Sequence, residues 1–474
     1  MTVRLTLGWI AAAVGGRLVG GGDDTAVREV VIDSRVAASG DLFVAIRGPR
    51  FDGHDFVADV LTRGAAAAIV DRERDGADVG RGRPSGRPFN GAVIEVADTI
   101  TALQDLARAV RMAAGTRVVA ITGSAGKTTT KETIAAFLER RHTVVKNRGN
   151  LNNHIGLPLS LMQVRNAPDV AVMELGMNHA GEISALVAIA EPDVRVWTNV
   201  GDAHLGFFAS AESIADAKAE ILERATASTL LVCNADDPRV MSRVAGFAGR
   251  TVTFGVASGA SVRATGIEDR GLAGMRARVA TPAGETVVDT SLLGRGNLSN
   301  VLAATAVATE FGVGLDEIAD AAARLRPADR RGAVHRLPSG VTVVDDSYNS
   351  SPSALAKSLD VVARETSAIR KVAVLGEMLE LGDHAQRLHA ESGRLVAQSG
   401  VDVLYAIGGQ AARTLAAAAI AAGMSAASVT YFPTSAEAAP EIADSIRPGD
   451  VVLLKGSRGI RTDVVADHLK AAFA

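Results

Sequence analysis

Cysteine is almost absent: Cys233 stands alone in 474 residues, which excludes an intrachain disulfide. Lysine is scarce too, with eight residues (Lys127, Lys131, Lys146, Lys218, Lys357, Lys371, Lys455 and Lys470) against 42 arginines. Base composition accounts for that imbalance, and it makes each retained lysine a place to look for a role arginine does not fill. An excess of one charge is also lacking. Fifty basic and 53 acidic residues give a net charge of −3, without the global basic field that a nucleic-acid binder carries, so a polyanion must be met locally. No apolar run is long enough to span a bilayer. The opening Leu5 to Val19 is apolar behind Arg4, but Arg17 interrupts it, and a short N-terminal helix begun at Thr6 is expected rather than a cleaved leader. The expectation is a cytoplasmic enzyme. No repeat of 20 to 50 residues is visible, and no G-x-G-x-x-G dinucleotide fingerprint occurs.

What is present is an ordinary globular composition, 47% hydrophobic and 22% charged, in a chain long enough for two to four domains. The pattern predicts α/β architecture in three domains. Residues 1–114 read as a small N-terminal α/β domain, with strand-like runs at Val30 to Ile32, Leu42 to Ile46 and Ala67 to Val70 and a helix from Ile100 to Ala114. Within it, Arg72 to Asn90 is rich in Gly, Arg, Asp and Pro and reads as a loop. Residues 115–327 alternate strands (Arg117 to Thr122, Val170 to Leu175, Val194 to Val200, Leu230 to Asn234) with helices, as a doubly wound parallel sheet does. A β appendage follows at Val252 to Val288. Residues 328–474 repeat the β/α alternation from Val341 onward, a Rossmann-like domain by topology only.

Chemistry concentrates in the central part. Gly123-Ser124-Ala125-Gly126-Lys127-Thr128-Thr129 lies between a buried strand and a helix. Glycines let backbone N–H groups turn toward phosphate oxygens, the helix N-terminus adds positive potential, Lys127 reaches the outer phosphates, and the Thr128 hydroxyl suits Mg²⁺. Ile121 stands where the strict Walker pattern has Gly, so the loop is a shortened one. Glu174 closes the next strand and His204 follows the one after, both at the sheet edge where open α/β sheets bind ligands. The plainer alternatives are a paired acid and a loop histidine. For Lys218, in Ala217-Lys218-Ala219-Glu220, the plain alternative is an exposed helix lysine beside acids.

These residues resemble the Mur ligase family of ATP-dependent amide ligases over nearly the whole chain. The resemblance is carried by Asp33-Ser34-Arg35 and Asp52-Gly53-His54, by the phosphate loop, Asn150-Leu151-Asn152-Asn153-His154-Ile155-Gly156, Glu174, Asn199 to His204, Lys218 and Asn297-Leu298-Ser299-Asn300. In the last third it is carried by Arg331-Gly332, Asp345-Asp346-Ser347-Tyr348-Asn349, Gly376-Glu377-Met378-Leu379-Glu380-Leu381-Gly382, His389 and Lys455-Gly456-Ser457-Arg458. The Asp-Asp-Ser-Tyr-Asn and Gly-Glu-Met-Leu-Glu-Leu-Gly stretches look like the branch that adds D-alanyl-D-alanine. Three positions depart from the family pattern: Ala125 replaces a usual Asn, Gly296 a common His, and Arg330 a usual Gly.

The resemblance implies ATP and Mg²⁺ as cofactors and UDP-MurNAc-tripeptide and D-Ala-D-Ala as substrates, in a monomer that engages neither nucleic acid nor membrane. It implies catalytic roles for Lys127, Lys218, His204 and Glu174, with Mg²⁺ held by Thr128, Glu174, His204 and Lys218 as a carbamate. Asn300, Arg331, Asp346 and Asn349 join the phosphate loop around the nucleotide. Ser34, Arg35, Asp52, Gly53 and His54 face the uridine-diphosphate end, Asn150, Asn152 and Asn153 the muramoyl-peptide channel, and Lys455 and Arg458 a peptide carboxylate. Gly115 and Arg326 to Arg331 are the expected hinges of a closure that excludes water from a hydrolysable intermediate. The competing expectations are another ligase of the family, folylpolyglutamate synthase, or a phosphate-loop switch protein with slow, acceptor-independent turnover.

Overall fold

The computed structural model describes residues 2–72, 92–202 and 205–474. Most of the Arg-rich segment from Arg72 to Asn90 lies outside them, as does His204. The described residues gather into two compact units: residues up to Ala120 with 142–177 and 181–194, and residues 121–141, 178–180 and 195–474.

The first unit opens with the helix Leu7–Ala13, whose N-cap is Thr6, as its hydroxyl spacing predicts. A five-stranded sheet follows in the order Arg17–Val19, Ala92–Val96, Ala67–Asp71, Leu42–Val44, Val30–Val31. Its core is Phe43, Ala45, Val57, Val60, Leu61, Ala68 and Val70. The helix Thr99–Ala114 starts at Asp98, which accepts from Thr101 N, and stops at Gly115 in the left-handed conformation. The unit also contains the parallel pair Val144–Lys146 and Val170–Glu174. Val170–Glu174 is buried at every position, as a strand covered on both faces must be.

In the second unit the strand Leu230–Asn234 pairs in parallel with Arg250–Gly255, which continues into Val262–Asp269, Met275–Thr281 and Gly284–Thr290. The last two pairings are antiparallel. The expected β appendage is therefore an extension of a parallel sheet into a mixed one. The helix Gly294–Glu310 is buried along most of its length, consistent with its run of small and branched residues.

A further six-stranded sheet has the order Ala333–Arg336, Thr342–Asp346, Asp450–Lys455, Arg370–Gly376, Val403–Ile407, Val429–Phe432. Five strands are parallel and match the alternation in the sequence. The edge strand Ala333–Arg336, antiparallel to its neighbour, was not expected: His335 and Arg336 dilute its apolar signal. Apolar clusters line this sheet, Leu355, Leu359 and Leu375 in one and Val343, Val374 and Leu469 in another.

Candidate active site

The phosphate-loop segment joins the strand Arg117–Thr122 to the helix Lys127–Leu138. Gly126 is the helix N-cap at φ +83°, and a methyl group there would run into the side-chain amide of Asn300. Gly123, at φ +151°, leaves no room for a methyl against Thr198. Glycine is required at both places by conformation and by space. Lys127 Nζ donates to Gly123 O at 2.8 Å, folding back over the loop.

Asn199, two residues past the strand Val194–Trp197, clamps this loop. Its Nδ2 donates to Ala125 O at 2.9 Å and its Oδ1 accepts from Ala125 N at 2.9 Å. Ser124 is tied on the same side, its Oγ accepting from Gly201 N at 2.8 Å. Asn199 was not among the expected site residues; a side-chain amide that mimics a strand partner leaves no spacing signature. Because Asn199 binds the main chain of residue 125, Ala125 meets that contact as well as an asparagine would. Asn300 is buried, and its Nδ2 donates to Asn297 Oδ1 at 3.1 Å, so this pair packs as a polar strut under the loop.

The plain alternative for Lys218 fails. The lysine is 1% exposed, on the inner face of the helix Ala211–Ala219 with Ile214 one turn before it. Two acids of the helix point elsewhere: Asp216 accepts from Arg243 Nε at 2.8 Å and Glu212 from Arg239 Nε at 2.9 Å. Burial, reinforced by the charge of Lys127, drives the Lys218 amine well below the usual lysine range. A buried amine whose pKa is lowered by burial and by the charge of a loop lysine is the least expected feature of the site on composition alone.

Glu174 sits in the first unit, 3% exposed at the end of its strand. Asn152 Nδ2 donates to its Oε1 at 2.8 Å. Asn147, itself 1% exposed, brackets the Glu174 main chain, accepting from its N–H at 3.0 Å and donating to its carbonyl at 3.1 Å. The same Nδ2 donates to Leu151 O at 2.9 Å. Asn152 is thus committed to the acid, Asn153 accepts from Gly156 N at 2.8 Å at the start of the helix Gly156–Leu161, and Asn150 and Asn153 are exposed.

At the N-terminal motifs the side chains turn inward. His54 donates from Nδ1 to Asp52 at 2.6 Å and accepts at Nε2 from Asp71 N at 3.1 Å, which fixes one neutral tautomer. Gly53 lies against the main chain of Ile46. This trio builds the turn and leaves Arg35, paired with Asp33 at 2.7 Å, as the exposed charge; that pairing holds the Asp33 carboxyl down at about 2.

In the last third, Lys455 is neither past its strand nor solvent-facing. It is the final strand residue, 4% exposed, donating to Asp346 Oδ2 at 2.6 Å and to Asn349 O at 3.2 Å. Asp346 also accepts from Ser358 at 2.8 Å, while Asp345 is buried against Ser347 and Lys470. Tyr348 carries the Arg331 guanidinium 4.0 Å above its ring, with that of Arg458 at 5.8 Å. Arg330 takes up the left-handed conformation, φ +56°, that suits a glycine, and pairs with Asp463 and Asp467. Those ion pairs offset part of the backbone cost of about 1–2 kcal/mol.

His389 is fully buried, its Nε2 accepting from Met378 N at 2.9 Å and its Nδ1 donating to Ala385 O at 2.7 Å. It supports the loop Gly376 to Gly382, which Ser457 also grips by accepting from Leu379 N at 2.9 Å. Glu380 O of that loop accepts from Gly206 N at 2.8 Å, and the Gly206 main chain lies directly against Gly382.

Family profiles cover the chain in three consecutive parts: the Mur ligase family catalytic domain over residues 26–111, the Mur ligase middle domain over 121–308, and the Mur ligase glutamate ligase domain over 330–458. The UDP-N-acetylmuramoyl-tripeptide–D-alanyl-D-alanine ligase of Bacillus subtilis (strain 168) is 31% identical over 447 residues, 94% of each chain. This chain belongs to the Mur ligase family. Among solved Mur ligases, MurF from Acinetobacter baumannii superposes with a TM-score of 0.87 at 31% identity, covering 99% of both chains. MurF ligase from Thermotoga maritima in complex with ADP gives a TM-score of 0.80 at 30% identity, over 94% of this chain and 98% of that one. Three-domain α/β architecture is what the Mur ligase profiles and these superpositions share with the expected fold class.

Proposed function

We propose that this Mur ligase joins D-alanyl-D-alanine to UDP-N-acetylmuramoyl-tripeptide with ATP, forming UDP-N-acetylmuramoyl-pentapeptide, ADP and phosphate for peptidoglycan. Support comes from full-length relatives of that activity at 30% identity and above. The observation that carries the chemistry is the buried Lys218 amine, its pKa lowered by burial and by the charge of Lys127 of the phosphate loop. The terminal carboxylate of the tripeptide attacks the γ-phosphorus of ATP, and ADP leaves. The amine of D-Ala-D-Ala then attacks the acyl carbon, the tetrahedral intermediate expels phosphate, and the amine proton passes to solvent. Both steps collect negative charge, and fixed cations in a site shielded from water are the means of offsetting it.

In this assignment Lys127 neutralises the outer phosphates, Asn199 and Asn300 keep the loop in shape, and Arg331 is held by Tyr348 for the nucleotide. Asp346, with Lys455 and Asn349, forms the neighbouring polar wall. A metal fits the donor chemistry: a threonine hydroxyl, a carboxylate and a carbamate are hard oxygen donors, which suit Mg²⁺. Thr128, Glu174, His204 and a Lys218 carbamate would hold it, and it would supply charge stabilisation to the transferring phosphoryl group. An ammonium at Lys218 would repel the ion, whereas a carbamate offers carboxylate-like oxygens. Domains 1–114, 115–327 and 328–474 carry the uridine-linked substrate, ATP and the incoming dipeptide respectively, with Arg35, Asn150, Asn153 and Arg458 the exposed candidates for substrate contact and Ser34 a half-buried one. A monomer in the cytoplasm, where ATP is available, completes the proposal; among the described residues no helix is long and apolar enough to cross a membrane.

The deciding experiment measures phosphate release from ATP with UDP-MurNAc-tripeptide, with and without D-Ala-D-Ala. Release that depends on the acceptor is expected, and release indifferent to it would reject the ligase assignment. For Lys218, acetate or formate is expected to restore part of the activity of Lys218→Ala, and Lys218→Arg is expected to be nearly as damaged as the alanine variant.

A further inference from the structure

Arg195 lies on the strand Val194–Trp197 and is only 2% exposed. It belongs to none of the motifs above. From Nη1 it donates to the carbonyls of Ile221 and Glu223. Those carbonyls lie in and just after the single 3₁₀ turn Glu220–Leu222, the C-terminal end of the helix that carries Lys218. Among the described residues its Nε has no hydrogen-bond partner. Burial lowers the guanidinium to about 10, with the charge of Glu223 working the other way. Enclosing an ion in this way carries a desolvation penalty before compensation, and a glycine ends many helices without that cost. A buried charge at this helix end therefore calls for a role beyond closing the helix.

The location supplies one. Lys218 is the penultimate residue of the α-helical segment, and the helix tightens to 3₁₀ geometry within two residues of it. Ile221 is three positions on, a neighbour of Lys218 on the helix surface. Fixing the carbonyls of Ile221 and Glu223 to a rigid strand sets both the rotation and the axial position of this last turn. At the other end the helix is held by contacts exposed to solvent, the Ser210–Ser213 capping box and the pairing of Glu212 with Arg239 and Arg243.

We propose that Arg195 is a positioning residue for Lys218: it clamps the C-terminal turn so that the Lys218 amine is kept dry and beside Lys127, where it takes up carbon dioxide. This rests on the carbamate assignment above. In that step the lone pair of the neutral amine attacks the carbon of CO₂, an N–C bond forms, one C=O electron pair moves to oxygen, and one amine proton goes to water. The product is an anion, stabilised by the Lys127 charge that disfavoured the ammonium. With the turn unclamped, Nζ is no longer held at the position where the Lys127 charge stabilises the anion, and the carbamate is lost.

The test labels the enzyme with ¹³C-bicarbonate and integrates the carbamate resonance, with Lys218→Ala as the blank, beside thermal melts and phosphate release at low and high bicarbonate. Arg195→Met is expected to lose the carbamate signal by about tenfold and to become bicarbonate-dependent, the usual scale for removing a group that orients a ligand. Arg195→Lys, which keeps charge but not the planar fork, is expected to fall between. A folded Arg195→Met with wild-type carbamate occupancy overturns the proposal and leaves Arg195 a helix cap. Should neither variant fold, Ala219→Gly loosens the link between Lys218 and the clamped carbonyls while sparing Arg195. It too must lower occupancy, and unchanged occupancy there overturns the proposal equally. A wild-type enzyme with no signal above the Lys218→Ala blank would instead refute the carbamate assignment itself.

Discussion

Replacing Asn147 by alanine is the sharpest test of how Glu174 is held. The side chain makes three hydrogen bonds of 2.9 to 3.1 Å, two of them to the Glu174 main chain, at a position 1% exposed. Alanine leaves the Glu174 N–H and the carbonyls of Glu174 and Leu151 without that partner. At about 1–3 kcal/mol for each buried group left unsatisfied, and with some recovery by water entering the vacated space, the loss is about 2–5 kcal/mol. Part of it falls on stability and part on the acid, whose strand end is then free to shift. Two measurements separate them: a thermal melt, expected to drop by several degrees, and the Mg²⁺ concentration giving half-maximal phosphate release, expected to rise about 10- to 100-fold as for other groups that orient a metal ligand. Asn147→Asp should do no better, because its carboxylate faces two carbonyls that need a donor. An alanine variant that melts like the wild type and keeps its Mg²⁺ requirement would refute the bracket as a determinant of the site.

Gly126→Ala is expected to remain folded but bind ATP at least about tenfold more weakly, read by equilibrium binding, since φ +83° costs about 1–2 kcal/mol for a residue with a Cβ and the methyl displaces Asn300. His389 is held neutral, its pKa lowered from 6.5 chiefly by burial. The unfolded chain therefore takes up the proton first, and the stability this group contributes above pH 6.5 is lost as the pH falls toward the depressed folded value. Melts from pH 7.5 to 5 should show that loss, and His389→Gln should start lower at pH 7.5 and lose less on acidification. Cys233 is buried with its thiol pushed up to about 12, so a thiol reagent at pH 8 should leave the native enzyme unlabelled and react fully after denaturation.

The parts of the molecule readable in the sequence are those governed by short-range pattern. The buried strand Arg117–Thr122, the glycine-punctuated loop and the helix from Lys127 follow from runs, turns and spacing, and the parallel strands of the last third follow in the same way. Residues whose role is set by who faces them were harder to read. Lys218 and its acidic neighbours look alike on the line of the chain; the helix sends Asp216 outward to Arg243 and Lys218 inward. Lys455 was expected to await a carboxylate from the substrate, but sheet register sets it opposite Asp346, which supplies one from within the chain. Asn147 and Arg195 carry no motif, and the stretch that holds Asn199 does not single it out, because each acts on main-chain groups, and main-chain groups are the same in every sequence.

The contact between Gly206 and Gly382 has a consequence for how such a chain can change over time. A side chain added at Gly206 would press on the main chain of Glu380 and Gly382, 2.8 Å from the nearest atoms, and one added at Gly382 would press on the Gly206 Cα at the same distance. Most close contacts in a protein can drift by compensation, one partner growing as the other shrinks. Here neither partner has anything left to give up. The pair is a fixed point for sequence drift, and substitutions that separate this crossing must come from elsewhere in the two loops, by moving whole backbones rather than by trading atoms.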